Sequence, residues 1–172
     1  PHIQVIVDQY SDTGYPTAIL LTGDVVWDNM DFLPRVKAAF EGLGVPLYAV
    51  IGNHDHDIPK KGTAFTESTI RGSRRDYYAE LGPVYYSMTI GREHYIILDN
   101  TFVLTSDAHG TNDEKATTGN QVRLCNAQAE WLKKHMAAVD RSTFDRIVLC
   151  MHCPFLNTNG GFAMMRPHQI ME

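Results

Sequence analysis

Asp24, Asn53, His54 and His152 are the residues whose types and surroundings best suit chemistry. Asp24 follows a glycine, Asn53 and His54 sit inside Gly52-Asn53-His54-Asp55, and His152 closes an apolar run. A carboxylate, a side-chain carbonyl and an imidazole make a mixed oxygen and nitrogen ligand set. Such sets suit Mn, Fe, Zn and similar divalent cations, with geometry choosing between them. Asp24 has two oxygens and can bridge two cations, while Asn53 offers a neutral oxygen that limits the negative charge. Two cations about 3.5–4 Å apart can activate a water and clamp a phosphoryl group for in-line attack. His54 neighbours Asn53 but projects differently. It can act as general acid on a leaving oxygen, or as a donor to developing charge. Asp55 reads as a support that bonds backbone rather than as a ligand. His56 and Asp57 extend the run His-Asp-His-Asp and read as loop residues able to face a substrate.

The elements that must position these residues follow from apolar patterning. Residues 18–22 and 46–51 are short apolar runs of buried-strand type, and each stops at a polar cluster, Gly23-Asp24 and Gly52-Asn53-His54-Asp55. Residues 3–10 are apolar at helical intervals. A second helix is expected from Asp31, with Pro34 in its first turn and Gly44 at its end. Helix, strand, helix, strand predicts parallel pairing with right-handed crossovers. A helix is expected over 65–81, interrupted or kinked near Gly72-Ser73. Residues 85–90 and 94–98 read as a hairpin around Gly91-Arg92. Residues 100–119 are a long polar loop. A helix over 127–139 and a strand over 146–151 follow, the strand ending at His152. Three strands therefore end in Asp24, in Asn53-His54-Asp55 and in His152. Sites of open α/β sheets lie outside the carboxyl ends of the strands, so these residues are expected to converge. Asp99, at a fourth strand end, is equally well read as structural support or cleft edge. His94 and His135 sit in apolar patterns and read as structural; His109 and His168 read as solvent-exposed.

Composition narrows the classes. The chain has 172 residues, 44% hydrophobic and 20% charged, which suits one globular domain over 1–172. A net charge of -5 argues against nucleic acid as partner, because surfaces that track phosphate backbones are basic. The three cysteines, Cys125, Cys150 and Cys153, are odd in number and not in a CxxC spacing, so no disulfide framework or soft-metal site is expected. No apolar run reaches the roughly 18 residues of a membrane helix. The chain opens at Pro1-His2 rather than at Met, so compartment is not readable.

Gly23-Asp24, Gly52-Asn53-His54-Asp55 and His152 after an apolar strand resemble the calcineurin-like metallophosphoesterases. The family pattern runs DxH, GDxxD, GNH(D/E), a lone His and then GHxH, and its middle is present here in order. Tyr85-Tyr86-Ser87, Tyr95 to Asp99 and Gln128 to Leu132 are similar to the spacer of bacterial members. The resemblance implies a double β-sheet sandwich flanked by helices. It implies Asp24 as bridging ligand, Asn53 and His152 as ligands of one metal, and His54 as the catalytic histidine. It implies two divalent cations and hydrolysis of a phosphate mono- or diester of a small substrate by a metal-bound hydroxide. No DxH precedes Gly23 and no GHxH follows His152, so a domain incomplete at both ends is expected, folding poorly or holding a weak site on its own. Trp27 stands where GDxxD places its second acid, which normally orients the catalytic histidine. Asp28 comes one position later and is the candidate substitute. These departures motivate a second reading, a degenerate member that keeps the fold as a binding or scaffold module.

Overall fold

The computed structural model describes residues 2–57, 66–101, 123–156 and 170. Among them the chain is an α/β fold of two sheets and four α-helices. Helix α1 (His2–Ser11) leads into strand β1 (Ile19–Leu21). A 3-10 turn, Met30–Phe32, then runs directly into α2 (Leu33–Glu41). Strand β2 (Leu47–Ala49) pairs with β1 in parallel, with Ile19 opposite Leu47 and Leu21 opposite Ala49. Helix α3 (Glu67–Leu81) precedes the second sheet. There β3 (Tyr86–Ile90) and β4 (Glu93–Leu98) form an antiparallel hairpin across Gly91-Arg92, and β5 (Arg146–Met151) lies parallel to β4. Helix α4 (Asn126–Ala138) is the crossover between those two parallel strands.

Local chemistry explains the boundaries. Asn29 caps the 3-10 turn by accepting from the Asp31 amide, and Pro34 sits in the first turn of α2, where its missing N–H costs nothing. The helix stops at Gly42, two residues before the glycine expected to end it. Thr66 and Thr69 form a reciprocal capping box at the start of α3. The expected interruption near Gly72-Ser73 does not occur: α3 is continuous, and the Ser73 hydroxyl bonds back to the Thr69 carbonyl at 3.0 Å. That hydroxyl also accepts from the Asp57 amide at 2.9 Å, so a polar residue inside the helix ties down the loop after β2.

Each sheet has its own core. Val26, Met30, Leu33, Ala49, Ile51 and Tyr77 form one, filled by the site loop, α2 and α3. Ile96, Leu98, Leu124 and Leu132 form the other, between the second sheet and α4. Tyr86 links the two sheets: its hydroxyl donates to the Ala49 carbonyl and accepts from the Ala49 amide, both at 3.1 Å. The backbone of β2 is thus satisfied by a side chain from the other sheet. The 100–119 loop lies outside the described residues beyond Thr101, as do His109 and His168. Among the described residues no helix is long and apolar enough to cross a membrane.

Candidate metal centre and the histidine beside it

The carboxyl ends of β1, β2 and β5 bring Asp24, Asn53 and His152 together. Strands β1 and β2 each lead into a turn whose glycine has no room for a side chain. Gly23 has φ +96, and a Cβ there would strike the His152 ring. A Cβ on Gly52 would strike the Asp24 backbone and carboxylate. The two glycines are therefore the space in which the β1 and β2 loops and the His152 ring close on one another. Asp24 (φ 55) and Asp28 (φ 52) are also left-handed, a conformation that Asp tolerates better than most residues.

Asp55 holds this crossing rigid. Its buried carboxylate accepts from the amides of Asp24 (2.9 Å), Val26 (3.0 Å) and Gly52 (2.8 Å), joining the loop after β1 to the loop after β2. Burial raises its pKa above the usual carboxylate value, and the Asp24 charge adds to the rise; the amide bonds act against it. Asp57 plays a related part, accepting from the Met30 amide at 3.0 Å.

His152 shows what the centre can hold. Its Nδ1 donates to the Thr22 carbonyl at 2.9 Å. In the neutral ring Nε2 then carries a lone pair. That nitrogen lies 3.2 Å from Asn53 Oδ1 and 3.3 Å from Asp24 Oδ2. With the Asn53 oxygen on this side, three acceptors converge, an arrangement that a cation would stabilise. Donors at ~2.1 Å from one ion lie roughly 3–3.4 Å apart, and the observed spacings fall in that range. The donor set of imidazole, carboxylate and amide oxygen fits a divalent transition ion. Among the described residues no group of three or more His, Cys, Asp or Glu gathers to hold a metal. Asp24 and His152 are two such residues, and Asn53 supplies the third donor.

His54 stands beside this set. Its amide donates to Asp24 Oδ1 at 2.9 Å, and its carbonyl accepts from the Asp28 amide at 3.0 Å. Its Nδ1 donates to Asp28 Oδ1 at 2.9 Å, a bond that fixes the orientation of the ring. The indole of Trp27 lies flat on the imidazole, with ring centroids 3.8 Å apart and planes at 11°. The residue that departs from the pattern thus packs against the histidine, and the next residue bonds it.

His56 departs from its expected place. It is fully buried and cannot face a substrate. Burial pushes its pKa down to about 4, and it lies in the fields of Asp99 and Arg74. Asp99 is structural: it is buried, pairs with Arg74 at 2.6 Å, and accepts from the Thr101 hydroxyl at 2.7 Å. Two positioning residues escaped the sequence reading. Asn100 bonds both sides of the Cys153 backbone, donating to its carbonyl at 2.8 Å and accepting from its amide at 3.1 Å, and so holds the peptide that follows His152. Gln128 of α4 grips the Asp99 backbone in the same two-way fashion. The signal for both was present in Asp99-Asn100, a polar pair closing an apolar strand as Asp24 and Asn53 do.

A fold whose strand ends gather this donor set around Gly-Asp and Gly-Asn turns is that of a phosphoesterase. The sequence matches the calcineurin-like phosphoesterase family over residues 2–168, and the chain belongs to that family. Among solved structures it is similar to a purple acid phosphatase, PPD1, isolated from yellow lupin (Lupinus luteus) seeds. The match has a TM-score of 0.51 and 20% identity over 84% of this chain, and speaks to the fold. The chain spans 24% of the length of the lupin enzyme. No curated protein matches.

Proposed function

We propose that the chain carries a metal-dependent phosphoester hydrolase centre, in which Asp24, Asn53 and His152 would hold a cation and Asp24 would also serve a second. The convergence of three acceptors on one point, with the His152 tautomer set by Thr22, carries this reading. The chemistry that divalent cations supply at such a centre is acidification of water and neutralisation of phosphoryl charge. The rest falls to the chain. The Gly23 and Gly52 turns bring the donors together, and Asp55 stops the two loops from separating. Asn53 contributes an oxygen without a charge, which limits the negative charge the centre presents to an anionic ester. Asp28 holds Nδ1 of His54, so a proton given to the leaving oxygen comes from Nε2. The substrate is a small phosphate mono- or diester, and the phosphatase activity named for the lupin neighbour is in keeping with that class.

The competing reading, a degenerate module used for binding, predicts no cations. Metal analysis of the full-length protein is expected to find two divalent ions per molecule, with turnover of a nitrophenyl phosphate ester. Asp24→Asn is expected to remove both ions and the turnover. Two ions and full turnover in Asp24→Asn would refute the bridging role, and a wild-type protein with neither would favour the binding module.

A further inference from the structure

We propose that Trp27 and the groove beside it receive an aromatic leaving group, so that the natural ester is that of an aromatic alcohol; this rests on the hydrolase reading above. Trp27 is 72% exposed although one ring face lies on His54. An indole left this open in water is costly, and an apolar partner would recover that area. Phe32 is also half exposed, and the two line an open groove of about 560 Å³ with Val25, Val36 and Phe40. Among the described residues Arg35 is the one charged side chain in its lining, and none of them there adds a carboxylate that would repel a substrate bearing phosphate.

The groove begins at the right place. In the proposed reaction His54 faces the leaving oxygen, and Trp27 is stacked on His54 itself. Whatever is attached to that oxygen passes next to Trp27, and Trp27 also lines the groove. A flat ring can offset-stack against an indole or meet it edge to face. A polyol there would leave the same surfaces wet and find few partners in a wall of aromatic and aliphatic carbon.

The test uses the full-length, metal-loaded protein and two esters, one aryl and one fluoroalkyl, whose alcohols are matched in acidity. Matching removes the demand for protonation as a variable, so their kcat/KM ratio reads contact with the leaving group. Wild type is expected to favour the aryl ester by about tenfold, in the range of an aromatic pair. Trp27→Leu is expected to erase the preference, Trp27→Phe to restore part of it, and Phe32→Ser to lower it about threefold. The Phe32 variant does not touch His54, so it separates stacking of the substrate from support of the histidine. Equal losses on both esters in Trp27→Leu, with no change in Phe32→Ser, would overturn the proposal and leave Trp27 as a positioning residue. An oligomer that dissociates in Trp27→Leu, without an aryl preference, would also overturn it. If wild type turns over neither ester, the hydrolase reading fails separately. Calorimetry with matched aryl and alkyl phosphonates then decides: tighter aryl binding lost in Trp27→Leu upholds the groove, and equal binding overturns it.

Discussion

Acidification is expected to destabilise this fold through His56. The imidazole is completely buried, and burial is the main cause that lowers its pKa from 6.5 to about 4. The Asp99 charge opposes the shift and the Arg74 charge adds to it. The unfolded chain takes up this proton near 6.5 and the folded chain only near 4. Between those values the unfolded state binds more protons, so stability rises with pH. The contribution is complete above the unfolded pKa and is lost as pH falls toward the folded one. At ~1.36 kcal/mol per pH unit the full loss is about 3 kcal/mol, of which roughly 2 kcal/mol is gone by pH 5. The assay is urea denaturation of wild type and His56→Gln at pH 7 and pH 5, with chelator present so that metal binding does not contribute. Asp55, whose pKa is raised, and His94, whose pKa is lowered by burial and by His135, titrate in both proteins and cancel in the difference. The stability gap between the two proteins should shift by roughly 2 kcal/mol in favour of His56→Gln on going to pH 5. A gap independent of pH would refute burial as the controlling cause.

Three further outcomes follow from the site. His54→Ala should keep the metal content while lowering kcat by about 10²–10⁴, with a smaller loss on esters of acidic alcohols; an equal loss on all esters would point to charge stabilisation instead of proton donation. Asp28→Ala should lower activity about 10–100-fold through the freed His54 ring without releasing metal, and a variant as active as wild type would remove Asp28 from the machinery. Gly52→Ala should abolish metal binding, read by metal analysis of whatever protein folds, because the added methyl occupies the place of the Asp24 carboxylate; a folded variant with its metals would mean that the two loops can separate.

Apolar patterning made the elements legible. Strand β5 was read to the residue over 146–151, and β1 and β2 were placed within two residues of their observed ends. Parallel pairing of β1 with β2 was readable because a helix intervenes between two buried strands. The family was readable too, since Gly-Asp and Gly-Asn-His-Asp at strand ends reflect glycines with no room for a side chain. What the sequence could not convey was orientation. Trp27 and Asp28 are neighbours in sequence, yet one stacks on His54 and the other bonds it, because the left-handed backbone at Asp28 turns its carboxylate toward the ring. His54 and His56 sit two apart with the same side chain, and one is partly open while the other is sealed in the core. Ser73 read as a break in α3 because its bond to the Asp57 amide comes from sixteen residues away. The tautomer of His152 depends on a backbone carbonyl 130 positions earlier. Residue type and spacing determine which groups are available, since they follow from covalent order and local propensity. Which way a side chain faces, and whether water reaches it, is decided by contacts distant in sequence, and only the tertiary structure contains those.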